Sequence, residues 1–507
     1  MKRLLAILLC VLMLAGCVDR GDPYVPTGDG LHQDVPTEPK ETQPEQEKEI
    51  TLAYYPDRTM NPYTCTNFTN RALFSLMYQG LFAIGADYTP EPILCKSFSV
   101  NRDMTKYTFY LENATFSDGT ALTAQDVVAS LLAAKKNTVY SGRFTQILEI
   151  TAMDDGSVEV LLAIPYENLP LLLDVPIVKA SEVEADQPLG TGPYYLKTTI
   201  AGLRLYKQSR WWCKAKLPID VSQIALEKGS SPSEIRDHFQ FADVSLVCAD
   251  PGSDTFADFR CDYELWECEN GIFLYLGVNS ASPVFANDAL RGALTHVIDR
   301  NLLVADFYRG FAKAATLPAS PDSPWYDRKM ADRYGYAPER FYQAVADAEM
   351  TGQSVVLLVN TDDTMRIRAA RAVRDMLTAA GLKVTMSEKD GEAYRKALEA
   401  GTYDLYLGQT KLSPNMDLSA FYSTKGGLSY GGLANAALLA LCWDSMANTG
   451  NFLALHQKVM EDAHVIPILF RSYAIYAKRG TMETFDPARD NLFCYSLGKT
   501  LEEAKIK

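Results

Sequence analysis

Residues 354–407 read SVVLLVNTDDTMRIRAARAVRDMLTAAGLKVTMSEKDGEAYRKALEAGTYDLYL, and this stretch decides the fold class of the chain. Short runs rich in Val, Leu and Tyr alternate with longer stretches whose apolar residues recur at helical spacing. The predicted elements are strands over 354–359, 382–387 and 403–407 and helices over 364–380 and 391–400, each helix followed by a glycine. Repeats of this kind form a parallel α/β sheet with right-handed crossovers.

The position of a ligand site follows from this sheet. Ligands of parallel α/β sheets bind beyond the carboxyl ends of the strands. We therefore expect ligand contacts just after Val359, Ser387 and Leu407.

Sequence patterns outside residues 354–407 predict further strands and helices. The predicted elements are strands over 49–55, 106–111 and 156–164, helices over 67–81 and 286–309, and a helix from Thr123 to about Lys136. Thr123 with Asp126 three residues later is a capping pattern, which fixes the start of the last of these helices.

The first residues carry an export signal. Two basic residues precede an apolar run over Leu4–Leu14, which is too short to span a bilayer. Small residues then precede Cys17, a pattern typical of a lipoprotein signal peptide over 1–17 with Cys17 lipidated. We expect the mature chain to be lipid-anchored at the extracytoplasmic face of the cell membrane. A plain signal peptide with an incidental cysteine is the alternative.

Composition limits the remaining classes of function. Residues 18–48 hold almost no large apolar side chains, so we expect a flexible tether there. The rest of the 507-residue chain is long enough for two or three domains. A net charge of −14 argues against nucleic-acid binding and against a basic membrane-binding patch.

The cysteines leave their redox state open. Those beyond the leader and Cys17 are Cys65, Cys95, Cys213, Cys248, Cys261, Cys268, Cys442 and Cys494. Extracellular proteins often form disulfides, but these irregular spacings are equally compatible with free thiols. The sequence has no C-x-x-C pair, so a zinc site is not expected.

Sequence signals of catalysis are missing. The five histidines form no H-E-x-x-H pattern, and the chain has no G-x-S-x-G elbow and no Walker loop. We therefore expect no enzyme activity, no catalytic residue, no metal and no cofactor.

Four groups of motifs, taken in order, resemble one known family. They are Met60-Asn61-Pro62 with Tyr78-Gln79-Gly80-Leu81; Tyr107 to Leu111, Phe116 to Thr120 and Leu122 to Val127; Gly190-Thr-Gly-Pro-Tyr194; and Asn287 to Arg291 with Val297-Ile-Asp-Arg300. Across nearly the whole mature chain, the sequence resembles the extracellular solute-binding proteins of peptide, dipeptide and nickel ABC importers. The order and spacing of the motifs make this resemblance specific.

The resemblance implies an α/β fold of the periplasmic-binding-protein-like type II class, a two-lobed clamp with an additional inserted domain. The implied boundaries are 49–85 with 190–270 and 472–507 for lobe I, 86–189 for the inserted domain and 271–471 for lobe II. Ligand would close the lobes about hinge strands near Gly190–Tyr194 and Asn279.

The resemblance also implies ligand contacts. They are Thr66, Asn67 and Phe68 in the loop after the first motif, Tyr140 in the inserted domain, and Tyr275 and Asn279 in the strand before the helix predicted over 286–309. For each of these residues, an ordinary role in a loop or in the core is the alternative.

The final contacts of the family follow the last strand of the repeat, and here the chain departs from the pattern. Relatives often have Gly-Trp and then an acidic pair whose first acid binds the α-amine of a peptide. This chain has Gln409 after Gly408, and Pro414 at the amine-binding position. We expect Gln409 and Asp417 to contact the ligand, Asp417 through a cationic ligand group. The alternative is that Asp417 caps a helix that begins near Leu418.

The expected function is the capture of a short peptide and its delivery to the permease subunits of an ABC importer, by a monomeric protein. A non-peptide ligand on the same fold, such as a metal chelate or small cation, is the alternative. A hydrolase on the cell surface is a more remote alternative function. Bound peptides of varied sequence would support the first hypothesis, a copurified metal complex the second, and substrate turnover the third.

Overall fold

A computed structural model describes residues 50–216, 221–253, 256, 258–481, 487–489 and 492–493 of the chain. The predicted signal peptide over 1–17 with Cys17, the tether over 18–48 and Cys494 lie outside the described residues. Within the described ranges, no helix is both long enough and apolar enough to cross a membrane.

The strands and helices of the described residues alternate along the chain. The strands are β1 Ile50–Tyr54, β2 Phe82–Ile84, β3 Pro90–Pro92, β4 Cys95–Val100, β5 Lys106–Leu111, β6 Ile147–Ala152, β7 Val158–Leu162, β8 Tyr194–Thr199, β9 Gly202–Lys207, β10 Gln223–Lys228, β11 Leu246–Ala249, β12 Glu264–Val278, β13 Ala312–Ala314, β14 Ser354–Asn360, β15 Lys383–Lys389, β16 Leu405–Lys411 and β17 Val465–Ala477. The helices are α1 Phe68–Ala72, α2 Phe74–Met77, α3 Ala124–Lys136, α4 Pro232–Gln240, α5 Asp288–Val297, α6 Arg300–Phe307, α7 Arg328–Arg333, α8 Pro338–Asp347, α9 Thr364–Ala379, α10 Gly391–Ala400, α11 Ser419–Tyr422, α12 Ala436–Ala447 and α13 Phe452–Asp462.

One large sheet contains most of these strands. Its strands lie in the order β15-β14-β16-β12-β17-β11-β1-β10-β9-β8, and β13 pairs with β17. Two groups of parallel strands flank the central strands β12 and β17. We call β1, β10 and β11 the first parallel set, and β14, β15 and β16 the second parallel set.

The two parallel sets point their carboxyl ends toward each other. Because β11 is antiparallel to β17, β16 is antiparallel to β12, and β12 and β17 are antiparallel to one another, the two sets run in opposite directions. Ala249, the last residue of β11, pairs with Ala474, and Lys411, the last of β16, pairs with Ile272. Both sets therefore end near the middle of the long central strands, where a ligand site is expected.

The central strands are continuous across the meeting point of the two sets. β12 has 15 residues and β17 has 13, and β17 is buried almost throughout, as expected for a strand covered on both faces. Their pairing is interrupted by a bulge between Glu269 and Phe273, where Gly271 has a φ of 75°. We call this bulge and the facing Phe470–Ser472 the junction. The positive φ favours glycine here, and a side chain on Gly271 would displace the guanidinium of Arg489.

A separate four-stranded antiparallel sheet, in the order β4-β5-β7-β6, packs against α3. Tyr107 and Phe109 of β5 are buried in its core. The start of α3 is as predicted: the Thr123 side chain accepts from the backbone N–H of Asp126, and the Asp126 carboxylate accepts from the backbone N–H of Thr123. The helix therefore begins where the capping pattern placed it.

The repeat over 354–407 is also as predicted. β14, α9, β15, α10 and β16 follow one another, and β14 lies between β15 and β16 with parallel pairing on both sides. The strands predicted over 49–55, 106–111 and 156–164 are β1, β5 and β7.

The single helix predicted over 67–81 is wrong. The chain forms α1 and α2 instead, and it is extended from Tyr78 onward. The carbonyl of Met77 accepts from the backbone N–H of Gly192 at 2.9 Å, and Gln79 pairs with Ile177 in a β-bridge. Partners distant in sequence thus take the backbone groups that a longer helix would use.

The helix predicted over 286–309 is wrong as a single element. It is divided into α5 and α6 at Ile298, whose backbone is extended. Asp299 caps α6 by accepting from the backbone N–H of Leu302 at 3.0 Å. The Arg300 guanidinium donates to the Thr295 carbonyl at 2.9 Å, so a side chain replaces the backbone partner that a continuous helix would supply.

Candidate ligand-binding site

A small cavity lies where the two parallel sets meet. Its described walls include Phe68 and Arg71 of α1, Tyr140, Lys411 at the end of β16, and Tyr473 of β17. Its volume is about 40 Å³, which is room for about three water molecules at about 10–15 Å³ each. A larger ligand can enter only if the walls move apart.

Aromatic rings form part of the cavity wall. The rings of Phe68 and Tyr473 lie with centroids 4.0 Å apart. The guanidinium carbons of Arg71 and Arg143 lie 5.7 and 5.3 Å from the centre of the Tyr140 ring. Cation–π attraction at these distances holds the Tyr140 ring beside two positive charges.

The described walls carry more positive than negative charge. Arg71, Lys411 and Arg489 line the cavity, and Asp174 is the acid among its described lining residues. Asp174 forms a buried ion pair with Arg143, with side chains 2% and 6% exposed, so its charge is balanced locally. The described wall therefore offers three basic side chains and one paired acid.

Two of the predicted contacts, Phe68 and Tyr140, line the cavity. Asn67 adjoins it and caps α1, because its side-chain oxygen accepts from the backbone N–H of Asn70 at 3.0 Å. Thr66 is exposed on the loop just before it. The structure thus brings the predicted first-motif loop and Tyr140 to one place, although they are far apart in sequence.

Tyr275 and Asn279 lie away from the described cavity walls. Tyr275 is 2% exposed, and its ring packs edge-on against Tyr406 with centroids 5.7 Å apart. The Asn279 side chain donates to the carbonyls of Gly401 and Tyr403 at 3.0 and 2.7 Å. In this structure both side chains make the core contacts that the sequence left as the alternative.

Gln409 and Asp417 are also bound to protein groups. The side-chain oxygen of Gln409 accepts from Arg471 at 3.1 Å. Asp417 accepts from the backbone N–H and the hydroxyl of Ser419 at 2.7 and 2.8 Å, and Ser419 is the first residue of α11. Burial raises the pKa of Asp417 above its usual value. These contacts close a turn just before α11, whose N-cap residue is Leu418 and has no side-chain cap, so Asp417 is not the N-cap that the sequence offered as the alternative.

The basic residues of the wall were not predicted from the sequence. Lys411 ends β16 four residues beyond the predicted strand end, so the strand-end rule located it only approximately. Arg71 lies in the last turn of α1, and its sequence position carries no recognisable signal. Arg489 comes from the far end of the chain and reaches the cavity by tertiary folding alone.

The described cysteines are free thiols: Cys65, Cys95, Cys213, Cys248, Cys261, Cys268 and Cys442. Burial raises the pKa of the Cys65 thiol, which is near the cavity and donates to the Asn67 carbonyl at 3.6 Å. That thiol therefore stays protonated and unreactive at neutral pH. Among the residues that the structure describes, no group of three or more His, Cys, Asp and Glu side chains is placed to hold a metal.

Comparison with known proteins gives a family match. Residues 89–431, more than half of the chain, match the middle part of the bacterial extracellular solute-binding proteins, family 5. An ABC transporter peptide-binding protein of Brucella ovis is 22% identical over 336 residues, 61% of this chain and 63% of the relative. The chain thus spans less than two thirds of that relative's length. Glutathione-binding protein GsiB of Escherichia coli is 24% identical over 378 residues, 69% of this chain and 72% of GsiB.

Solved structures show the same fold. NikA from Brucella suis, in complex with Fe(III)-EDTA, superposes with a TM-score of 0.70 at 19% identity, over 88% of this chain and 99% of NikA. This likeness confirms the predicted fold, an α/β periplasmic-binding-protein-like clamp of type II. The predicted domain boundaries stay a prediction.

Proposed function

Because the chain belongs to the bacterial extracellular solute-binding proteins of family 5, we propose that it captures a short peptide outside the membrane and delivers it to the permease subunits of an ABC importer. Members of this family are solute-binding proteins, not enzymes. Relatives named as peptide-binding and glutathione-binding proteins support the ligand class.

The observation that carries the proposal is the positively charged cavity between the two parallel sets. A peptide carboxylate placed near Arg71 and Lys411 would accept charge-assisted hydrogen bonds. The rings of Phe68 and Tyr140 offer apolar surface to the rest of the ligand. Main-chain hydrogen bonds, which do not depend on side-chain identity, would let such a site take peptides of mixed sequence.

We assign the predicted contacts different roles in this site. Phe68 and Tyr140 touch the ligand, and Thr66 and Asn67 reach it once the walls have moved apart. Gln409 lies at the end of β16 and contacts the ligand through the same movement. Tyr275, Asn279 and Asp417 are bound to other protein groups in this structure, and their contact with the ligand stays a prediction.

Peptides with free and with amidated carboxyl termini test the proposal. Calorimetry should show the free-carboxylate form binding about tenfold more tightly or better, because amidation removes the charge that the basic wall attracts. Arg71→Gln should remove most of this difference. Arg374→Gln, on the exposed side of α9, is the matched control and should keep it. Equal affinities for the two peptide forms in the unaltered protein would contradict the proposal.

A metal chelate is the second candidate ligand. The NikA structure contains Fe(III)-EDTA, a polycarboxylate chelate, and the basic cavity wall here would suit such carboxylates. A bare cation is not favoured by that wall, because like charges repel. Native mass spectrometry of the freshly purified protein separates the candidates, since a peptide and a chelate differ in mass and in metal content. A surface hydrolase would require turnover of the bound species.

We also propose that the two lobes and the inserted domain have the boundaries given by the family resemblance. The junction falls at the proposed limits between lobes, 270/271 on β12 and 471/472 on β17. We also propose that the protein acts as a monomer.

Membrane attachment through Cys17 completes the proposed function. Cys17→Ala should move the protein from the membrane fraction to the soluble fraction, or leave it as an uncleaved precursor. Immunoblots of both fractions measure this, with Cys10→Ala as the matched leader variant that keeps attachment. Detergent-resistant attachment of the Cys17 variant as a processed protein would contradict the proposed anchor.

A further inference from the structure

Arg471 lies in β17 at the junction and binds two carboxylates. Its Nη2 atom lies 2.8 and 2.9 Å from the two carboxylate oxygens of Asp250, and its Nη1 atom lies 3.5 Å from Asp363. The Arg471 side chain is 5% exposed. The contacts with Asp250 are charge-assisted hydrogen bonds, and the contact with Asp363 is an ion pair. Such pairs are stronger when the arginine is shielded from water than when both partners are exposed.

The two acids come from opposite sides of the junction. Asp250 directly follows β11 of the first parallel set, and Asp363 follows β14 of the second parallel set. Since the carboxyl ends of these sets face each other, Arg471 bridges the gap between two opposed strand-end loops. Its guanidinium packs so closely on Gly252 that a Cβ atom there would overlap Nη2. The loop after β11 is therefore shaped to fit this guanidinium.

A second arginine also contacts the loop after β11 from the other half of the molecule. Arg309, just after α6, donates to the carbonyl of Pro251 at 3.3 Å, and its guanidinium carbon lies 4.5 Å from the centre of the Phe256 ring. The loop after β11 is thus held from the other half of the molecule at more than one point. None of Arg471, Asp250 and Asp363 is among the residues that line the cavity.

We propose that Arg471, Asp250 and Asp363 form a closure clasp that sets how much of the protein is closed before ligand arrives; this inference rests on the proposed function of a ligand-binding clamp. Bending at the junction moves the opposed strand ends apart. One arginine side chain then cannot keep both carboxylates within hydrogen-bond distance. The clasp forms in the closed form and breaks in the open form. Its contacts therefore lower the free energy of the closed form relative to the open form.

Removing one charge at a time tests the clasp without any ligand. Asp250→Asn keeps an oxygen for its contact with the Gly252 N–H, and Asp363→Asn keeps the cap of α9, since Asn and Asp cap equally well. Small-angle scattering of each unliganded variant should show a larger radius of gyration than the unaltered protein. We expect the closed-to-open ratio to fall about tenfold, the scale of a charge-assisted hydrogen bond in a shielded site.

Asp375→Asn is the matched control, because it removes the same charge from an exposed pair with Arg374 on α9. Its scattering curve should equal that of the unaltered protein. The melting temperature of each variant is measured as well. A variant that is merely destabilised would melt at a lower temperature, but its folded form would not have a larger radius of gyration. Scattering curves of Asp250→Asn and Asp363→Asn that match the unaltered protein would overturn the clasp. That result would leave the proposed peptide binding intact, since no ligand enters this experiment.

Discussion

At the scale of single residues, Arg300 shows how a charged side chain serves the core of this protein. It is 4% exposed, and its guanidinium donates to the carbonyls of Ala315, Pro467 and Thr295 at distances of 2.8 to 3.0 Å. Burial lowers its pKa to about 10, so the charge persists at neutral pH. Carbonyl dipoles replace the hydration that burial removes, and no anionic ligand is needed to explain this arginine.

His456 is buried without such support, which gives a pH prediction. Neither ring nitrogen has a hydrogen-bond partner among the described residues, and burial lowers the pKa to about 4. The folded protein therefore binds this proton less tightly than the unfolded chain does. The neutral His456 side chain contributes fully to the free energy of unfolding above about pH 6.5, the usual pKa of histidine. This contribution is lost as the pH falls toward 4.

Denaturant unfolding of the unaltered protein and of His456→Leu measures this effect. Leucine keeps an apolar side chain beside Phe452, whose ring lies 5.7 Å from the imidazole, and cannot be protonated. Between about pH 7.5 and about pH 4.5, the unaltered protein should lose roughly 2–3 kcal/mol more of its free energy of unfolding than the variant does. Equal losses in both proteins would show that His456 does not titrate in this way.

At the scale of elements, local signals predicted the parts of the fold that local interactions decide. The repeat over 354–407 was predictable because helix period, strand composition and glycine stops act within a few residues of one another. The start of α3 was predictable for the same reason, since Thr123 and Asp126 satisfy each other's backbone groups.

The elements that sequence reasoning missed are those whose ends depend on distant partners. The helix predicted over 67–81 stops at Met77 because Gly192 takes its carbonyl, and glycine there lets the two backbones approach. The helix predicted over 286–309 breaks where Arg300 takes carbonyls for its own hydrogen bonds. Periodicity continues through both breaks, so it could not reveal them.

At the scale of the whole molecule, the arrangement predicts closure on ligand. The cavity of about 40 Å³ is too small for a peptide in this conformation, so binding requires an open form that closes again. Bending is expected at the junction, where the pairing of β12 and β17 shifts at the Glu269–Phe273 bulge. The hinges predicted near Gly190–Tyr194 and Asn279 stay predictions.

Scattering with saturating ligand measures closure. Once native mass spectrometry has identified a ligand, its addition should lower the radius of gyration, because ligand shifts the population toward the form that it binds better. Asp250→Asn should show the larger decrease, since it begins from a more open mixture. An unchanged curve for a ligand whose binding calorimetry has verified would count against a two-lobed clamp.

The sequence by itself determined the α/β class and the order of the main elements. The direction of the strand ends follows from the repeat. Phe68, from the loop after the first motif, lines the cavity, and its contact with a ligand stays a prediction. These features depend on neighbours in the chain and on motifs that can be read directly.

Only the tertiary structure decided the junction, the charge of the cavity wall and the clasp. Arg471 meets Asp250 across 221 positions of sequence, and Arg489 reaches the cavity from the far end of the chain. The sequence does not show whether an acidic side chain binds a ligand or bonds to a neighbouring residue, as Asp417 does with Ser419. Which role it takes depends on the partners that folding brings within hydrogen-bond distance, and those partners are set by the packing of the whole chain.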